Sequence, residues 1–91
     1  MIRLNCFFQA NPGKYTQALE AAIALVAESQ KQEGCIAYDV FESGTRKDVF
    51  MICETWENQE VLDAHSASAP FQTLVPQITA CGEMKIESFN F

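Results

Sequence analysis

The stretch DVFMICETWENQEVLDAHSASAPF, residues 48–71, contains the two rarest side chains of the chain. It begins as an apolar strand that ends at the only tryptophan, Trp56, and continues through a short helical pattern to the only histidine, His65. Tryptophan offers a large apolar face and histidine has a pKa near physiological pH, so the place where they meet is a candidate ligand site. The alternative interpretation is core packing for Trp56 and capping of a backbone carbonyl by His65.

Apolar periodicity divides the preceding chain into a strand, a helix and a second strand. Residues 2–9 alternate between apolar and mixed side chains, as a strand with one buried face does. Asn11 is expected to cap the next helix, with Pro12 at its first position, and i, i+3, i+4, i+7 spacing predicts a helix over 14–32. Gly34 provides a C-terminal stop, and residues 35–42 alternate as a second strand.

The remaining patterns predict a hairpin, two helical runs and a last strand. The polar residues 43–47 are short enough to join strands two and three as an antiparallel pair. Asn58 is expected to cap the helix QEVLDAH, and Ser68 begins a second helical run in which Pro76 predicts a kink or an early end. Residues 83–91 return to strand alternation.

The predicted order is β-α-β-β-α-β, an α+β fold of one domain over residues 1–91. With right-handed crossovers it forms a four-stranded antiparallel sheet with the helices on one face, the ferredoxin-like arrangement. The other face should be polar unless it is covered, yet Phe7, Phe41 and Phe89 each oppose apolar residues on their own strands. A second copy of the sheet is the simplest cover, which predicts a homodimer with its sheets packed face to face.

Charge and cysteine usage exclude several classes of protein. The net charge is −6, and the six basic residues are dispersed, so nucleic-acid binding is not expected. The four cysteines form no C-x-x-C pair, which is typical of a reducing compartment and predicts no metal site. No signal peptide, membrane span or Gly-rich phosphate loop is recognisable, so we expect a cytoplasmic protein without a cofactor and without a membrane partner.

Three passages carry a resemblance to a known family. They are MIRLNCFFQANPGK at the first strand, EGCIAYDVF at the second and ETWENQEVLDAHSASAPF, in which E-x-W is followed nine residues after the tryptophan by histidine. Over nearly its whole length the chain resembles the antibiotic-biosynthesis monooxygenase-like family of dimeric α/β barrels, close to small quinol monooxygenases. The resemblance implies a cofactor-independent oxygenase whose partners are dioxygen and a quinol-like or other small aromatic substrate.

The resemblance also implies roles for individual residues. Asn5 and Trp56 correspond to residues that line the cavity beneath the sheet, where Asn5 would donate a hydrogen bond to a substrate oxygen and Trp56 would stack on an aromatic ring. His65 would take a phenolic proton or, as in haem-binding relatives, ligate iron. Strand alternation adds candidates for the substrate-lining surface, with Phe41 as the alternative to Tyr38 if strand two is turned over: Phe7, Tyr38, Phe50, Ile52 and Glu54.

Other interpretations of the same residues lead to other classes of protein. Asn5 is equally able to bond within the sheet, and Glu54 is expected to pair with Arg3 across neighbouring strands rather than act as a base. The aromatic face has the composition of a dimer core. The chain as a whole is then a non-enzymatic dimer that binds a small aromatic or haem, or an isomerase of a small carbonyl compound that uses His65 and Glu54 for proton transfer.

Overall fold

The computed structural model of the chain describes residues 1–91 and follows the predicted order, with the second helical segment divided in two. The sheet has the strand order β2-β3-β1-β4, and every neighbouring pair is antiparallel, which confirms the ferredoxin-like α+β fold. The elements are β1 (Ile2–Ala10), α1 (Tyr15–Ser29), β2 (Cys35–Glu42), β3 (Val49–Trp56), α2 (Gln59–Ser66), α3 (Ala69–Thr79) and β4 (Gly82–Asn90).

The register of the two central strands decides which side chains meet the helices. Ile2 lies opposite Trp56, and Leu4 lies opposite Glu54, so these residues share one face of the sheet. That face is packed under the helices and is called the helix face below. The opposite side, which carries Arg3 and its alternate neighbours along β1, is called the open face.

The core forms between the helix face and α1. Phe8 and Phe50 stack with ring centroids 4.8 Å apart, and both are almost fully buried. On α1 the inward positions are small, and Ala18 and Ala22 have no exposed surface. Small side chains let the helix backbone lie close to the sheet, and the aromatic rings of the strands then fill the space between the two layers.

Two expectations about the helix ends, the range of the first helix and its cap, are wrong, and two other expected caps are confirmed. Helix α1 begins at Tyr15 and ends at Ser29, inside the predicted range 14–32, and Asn11 does not cap it through its side chain. Gly13 has a φ of +78°, a left-handed conformation that a helix cannot continue through, so the helix starts only after it. Asn58 and Ser68 do cap α2 and α3, because their side chains accept hydrogen bonds from the backbone N–H groups of the first turns.

Pro76 neither ends α3 nor prevents its last turn. The helix continues to Thr79, and the N–H of Ala80 still donates to the Pro76 carbonyl at 3.0 Å. The proline removes one N–H donor from the helix, and Gln72, whose carbonyl lies four residues before it, is exposed.

Three aromatic side chains of the open face lie uncovered. Phe7, Phe41 and Phe89 are 36 %, 53 % and 48 % exposed, and no helix of the chain reaches this side of the sheet. A single copy of the chain therefore buries one face of its sheet and leaves aromatic surface on the other.

Two glycines with left-handed backbone give a graded test of the fold. A methyl group at Gly34, whose φ is +80°, would lie 2.6 Å from the side chain of Val61 on α2, whereas Gly13 has open space around it. We expect Gly13→Ala to lower the free energy of unfolding by about 1 to 2 kcal/mol through backbone strain. Gly34→Ala should lower it by about 1 to 3 kcal/mol more because of the clash.

Gly44 provides the matched control for both variants. It has neither a left-handed backbone nor a neighbour within 4 Å, so Gly44→Ala should leave the urea midpoint close to that of the parent chain. Equal midpoints for Gly34→Ala and Gly44→Ala would contradict the close packing of α2 on the turn before β2.

Candidate functional site

A cavity of about 210 Å³ lies between the helix face of the sheet and helices α2 and α3. Most of its lining is apolar, its only charged residues are Glu54 and Asp63, and no lysine or arginine reaches it. The lining consists of Leu4, Cys6, Leu25, Tyr38, Ile52, Glu54, Gln59, Leu62, Asp63, His65, Ser66, Phe71, Val75, Ile78, Met84 and Ile86.

His65 is held in the wall of this cavity by aromatic rings. It sits in the last turn of α2 and is only 2 % exposed. Its ring packs on Trp56 at a centroid distance of 4.5 Å, and the rings of Tyr38 and Phe71 approach it edge-on at 5.5 and 5.2 Å. Three rings from β2, β3 and α3 therefore fix the plane of the imidazole.

Burial keeps this imidazole uncharged. Removal from water disfavours the imidazolium and lowers the pKa of His65 to about 4, so the neutral ring predominates at neutral pH. Its Nδ1 lies 2.7 Å from Oε1 of Gln32, while Nε2 has no hydrogen-bond partner within the protein. A neutral histidine with one unoccupied ring nitrogen is able to accept a hydrogen bond or a proton.

Glu54 is the second polar group of the cavity. The indole N–H of Trp56 donates to its Oε1 at 2.9 Å, and the thiol of Cys6 lies 3.7 Å from its Oε2. Burial raises the pKa of the carboxyl above its ordinary value, and the hydrogen bonds from Trp56 and Cys6 only partly offset this effect.

The expected pairing of Glu54 with Arg3 is wrong. Leu4, not Arg3, is the cross-strand partner of Glu54, so the two charged groups point to opposite faces of the sheet. Arg3 instead donates to the hydroxyl of Thr55 at 3.3 Å on the open face. Glu54 is thus a buried carboxyl without a cation, which distinguishes it from a structural ion pair.

Two further protic groups surround this carboxyl. Burial, followed by the charge of Glu54, raises the pKa of both Tyr38 and Cys6, which keeps the phenol and the thiol protonated. The orientation of β2 is also settled by its pairing. Tyr38 faces the helices, as one of the two predicted alternatives had it, and Phe41 lies on the open face. The cavity floor combines a carboxyl, a phenol and a thiol in an apolar surrounding.

The structure brings together some predicted site residues and separates others. His65, Glu54, Tyr38 and Ile52 line the cavity. Trp56 is fully buried behind it and meets His65 and Glu54 rather than open space.

Three predicted site residues lie away from the cavity. Phe50 faces the helices but packs in the core against Phe8 and Tyr15. Asn5 and Phe7 lie on the open face, where the Asn5 amide donates to Glu87 at 3.2 Å, because alternation along β1 turns both away from the helices. Asn5 and Trp56 therefore do not line one cavity within a single chain.

Residues that the sequence did not single out complete the site. Phe71 supplies the third ring around His65, Gln32 supplies its only hydrogen bond, and Val75 and Ile78 close the cavity from α3. The i, i+3, i+4 and i+7 spacing from residue 71 onward did indicate an apolar helix face. Gln32 carried no signal, since it was predicted as the last residue of the first helix and a single glutamine has no pattern to identify it.

Comparison with known proteins assigns the chain to a family. Residues 1–77 match the family model described as antibiotic biosynthesis monooxygenase. The chain belongs to this family. It is 32 % identical over 75 residues to "Putative monooxygenase YcnE" of Bacillus subtilis (strain 168), a match that covers 82 % of this chain and 79 % of that protein.

Solved structures have the same fold as this chain. A protein from Bacteroides thetaiotaomicron VPI-5482, described as of unknown function and as a "possible oxidoreductase", superposes with a TM-score of 0.96 at 57 % identity and covers 99 % of this chain and 96 % of its own. The structure of an antibiotic biosynthesis monooxygenase superposes with a TM-score of 0.92 at 25 % identity, over 100 % of this chain and 98 % of that one.

The structure contains neither a metal-binding cluster nor a membrane-spanning helix. No group of three or more histidine, cysteine, aspartate or glutamate side chains is placed to hold a metal ion. None of the three helices has the length and apolar character needed to cross a membrane.

The two buried titratable groups should give stability opposite pH dependences. Below its ordinary pKa of 6.5 the unfolded chain protonates His65 while the folded chain does not, so stability falls as pH drops from 6.5 towards 4. Glu54 acts in the other direction, because its raised pKa lets the folded chain take up a proton first and stability rises as pH falls towards 4.5. The pH dependence of the parent chain's stability is the sum of these two contributions.

Glu54→Gln should separate these contributions. The amide oxygen still accepts from Trp56 but carries no charge, so the variant should gain stability over the parent at pH 8 and lose that gain as pH approaches 4.5. Urea unfolding at several pH values measures the difference, with Glu60→Gln on the exposed side of α2 as the control. A constant difference between Glu54→Gln and the parent across pH would show that Glu54 is not an uncompensated buried acid.

Proposed function

We propose that the protein is a cofactor-independent monooxygenase that oxidises a quinol-like or other small aromatic substrate with dioxygen. The observation that carries this proposal is the pairing of a neutral, partly unoccupied imidazole with a buried carboxyl inside one apolar cavity. Family membership supports the reaction class, and the cavity supports the kind of substrate.

Cavity size and charge favour a small neutral aromatic compound. A cavity of about 150 Å³ lined by apolar side chains accommodates benzene, so about 210 Å³ accommodates one substituted ring or two fused rings. No lysine or arginine lines the space, and a carboxylate or phosphate on the substrate would be buried near Glu54 without a partner. Hydroxyl groups, in contrast, find acceptors in His65 and Glu54.

The overall reaction balances without a cofactor. A quinol and one dioxygen give a hydroxylated quinone and one water, so one oxygen atom enters the ring and the other leaves as water. The aromatic ring supplies all four electrons that reduce dioxygen. The protein has to bind the ring, hold a proton acceptor at its hydroxyl and exclude bulk water.

His65 is the group that we assign to the hydroxyl proton. A base with a pKa of about 4 does not ionise a phenol outright in an apolar cavity, where a separated ion pair is costly. It accepts a hydrogen bond in the ground state and takes the proton as electron density passes from the ring to dioxygen. Uncharged His65 then remains available at acidic pH, where an ordinary histidine is already protonated.

We assign to Glu54 and Tyr38 the role of donating hydrogen bonds to the oxygen atoms that become carbonyl groups on the ring. In its protonated form, which burial favours, the Glu54 carboxyl has one O–H donor besides its contacts with Trp56 and Cys6, and Tyr38 presents a phenolic O–H that burial keeps protonated. Both groups are able to donate to a carbonyl oxygen that forms on the ring. The same pair of His65 and Glu54 in one cavity also favours a second candidate, proton transfer in an isomerase of a small carbonyl compound.

Oxygen uptake with His65→Phe tests the proposal most simply. Phenylalanine keeps an aromatic ring against Trp56 but has no nitrogen, so turnover should fall by about 10²- to 10⁴-fold with the fold retained. An oxygen electrode measures the rate over a panel of one-ring and two-ring quinols. Asn5→Ala, on the open face, should keep a rate close to that of the parent.

Four results would contradict this assignment. Loss of turnover in Asn5→Ala alone would place the reaction on the open face. Unchanged turnover in His65→Phe would remove the base. Binding of haem with no oxygen uptake for any quinol, or solvent-hydrogen exchange into a small ketone without oxygen uptake, would favour the binding protein or the isomerase instead.

We also propose that the protein works as a homodimer joined through the open face. The exposed aromatic groups Phe7, Phe41 and Phe89 on that face support this assembly, since a second copy would bury them. The two cavities lie on the other side of each sheet and stay accessible when two open faces meet. Such packing of two sheets with helices outside gives the dimeric α/β barrel.

A pair of substitutions tests the homodimer. Phe41→Glu places a charge on the open face and should convert the protein to a monomer in light scattering at micromolar concentration. Ile23→Glu is a matched control, because Ile23 on α1 is 53 % exposed, as is Phe41, and faces away from the sheet. If both variants have the mass of a dimer, or if the parent chain is a monomer, the open face is not the interface.

We place this dimer in a reducing compartment, as in the cytoplasm. All four cysteines are free thiols, and Cys6 and Cys81 are buried among apolar groups. Buried unpaired cysteines behave as small hydrophobic residues where thiols stay reduced.

A further inference from the structure

His65 lies in the wall between the cavity and a groove on the outer side of α2. The groove is lined by Gln32, Glu33, Glu57, Asn58, Glu60, Val61, Ala64, His65 and Ser68. Gln32 belongs to this groove and not to the cavity, so Nδ1, which meets Gln32, is the groove-side nitrogen of the ring. We therefore assign Nε2, which has no partner within the protein, to the cavity side.

The hydroxyl of Ser68 determines which way the Gln32 amide is turned. Ser68 Oγ lies 2.6 Å from the backbone carbonyl of His65, and a carbonyl only accepts, so the single hydroxyl proton is used there. The Phe71 N–H lies 3.5 Å from the same oxygen and Gln32 Nε2 lies 3.1 Å from it, so both act as donors. The amide nitrogen therefore faces Ser68, and the amide oxygen faces His65.

An amide oxygen only accepts hydrogen bonds, so the nitrogen 2.7 Å from it must carry the ring proton. The ring is neutral because it is buried, which leaves Nε2 without a proton. The hydrogen bonds that link Ser68, Gln32 and His65 therefore have one consistent set of donors and acceptors. No other side chain forms a hydrogen bond with the imidazole.

We propose that Gln32, oriented by Ser68, is a positioning residue that holds His65 in the Nδ1–H tautomer and so presents the Nε2 lone pair to a substrate hydroxyl in the cavity. The tautomer follows from contacts within the protein, and its catalytic consequence rests on the proposed function. With the opposite tautomer, the cavity would meet an N–H donor in place of a proton acceptor.

Other titratable groups surround the ring without bonding to it. Tyr38 approaches from β2, and Glu54 from β3 is bonded to the Trp56 indole and not to the imidazole. Asp63 faces the cavity from α2. The groove side carries three acids: Glu33, Glu57 and Glu60. Gln32 is thus the one neighbour whose chemistry sets the position of the proton.

Nitrogen NMR measures this tautomer directly. His65 is the only histidine, so long-range proton–nitrogen spectra of the full chain labelled with ¹⁵N contain one pair of ring nitrogens. At pH 7 we expect a protonated Nδ1 and an unprotonated Nε2. The Nε2–H tautomer in the parent chain would overturn the proposal.

Two substitutions at Gln32 test the cause. Gln32→Glu replaces the amide with a carboxylate beside Nδ1, which favours the imidazolium and should raise the measured pKa of His65 by about 1 to 3. Gln32→Leu removes the acceptor and should give a mixture of tautomers. Gln17→Glu, which adds the same charge on an exposed turn of α1, should leave both the pKa and the tautomer as in the parent.

The outcomes also separate this proposal from the function. If the Nδ1–H tautomer is found and depends on Gln32 but no quinol is oxidised, the positioning role stands and the monooxygenase assignment fails. If quinols are oxidised, the acid limb of the rate–pH profile should move upward in Gln32→Glu together with the NMR pKa. The positioning role would be overturned if the His65 tautomer, or the acid limb of the rate–pH profile, stayed the same as in the parent in both Gln32 variants.

Discussion

The indole of Trp56 is the contact on which the site depends, because it joins the sheet to the helices through two different interactions. Its N–H donates to Glu54 at 2.9 Å, and its face packs on His65 at a centroid distance of 4.5 Å. The first contact holds a carboxyl in the cavity without a cation, and the second holds α2 against the end of β3. A smaller side chain at this position would leave both polar groups without their support.

The cavity favours the uncharged forms of His65 and Glu54. Burial lowers the pKa of His65 and raises that of Glu54, so each group is shifted toward its neutral form. Their effects on folding stability have opposite signs as pH falls, and they partly cancel in the parent chain. An uncharged acceptor and an acid with a raised pKa in one apolar space are suited to moving a single proton between substrate oxygens.

The sequence predicted the elements well because strong alternation and two clear N-caps mark them. It also predicted that both faces of the sheet carry apolar groups. It did not fix the phase between strands, and a difference of one residue in pairing turns a side chain to the opposite face. That phase explains why Asn5 lies away from Trp56, and why Glu54 pairs with Leu4 rather than Arg3.

Gln32 escaped prediction for a related reason. The spacing of apolar residues extended the first helix to residue 32, whereas α1 ends at Ser29. Gln32 therefore lies in a turn, where its N–H donates to the Ser29 carbonyl and its carbonyl accepts from Cys35. In this turn the Gln32 side chain reaches His65 on α2.

The most direct test of the account is to locate a bound aromatic compound. Hydroquinone under nitrogen cannot be oxidised by dioxygen, and its ring protons report nearby methyl groups through intermolecular NOEs. We predict NOEs to the cavity-lining methyl groups of Leu62, Val75 and Met84. NOEs confined to Met51 and the aromatic rings of the open face would contradict the assignment of the helix-face cavity as the site.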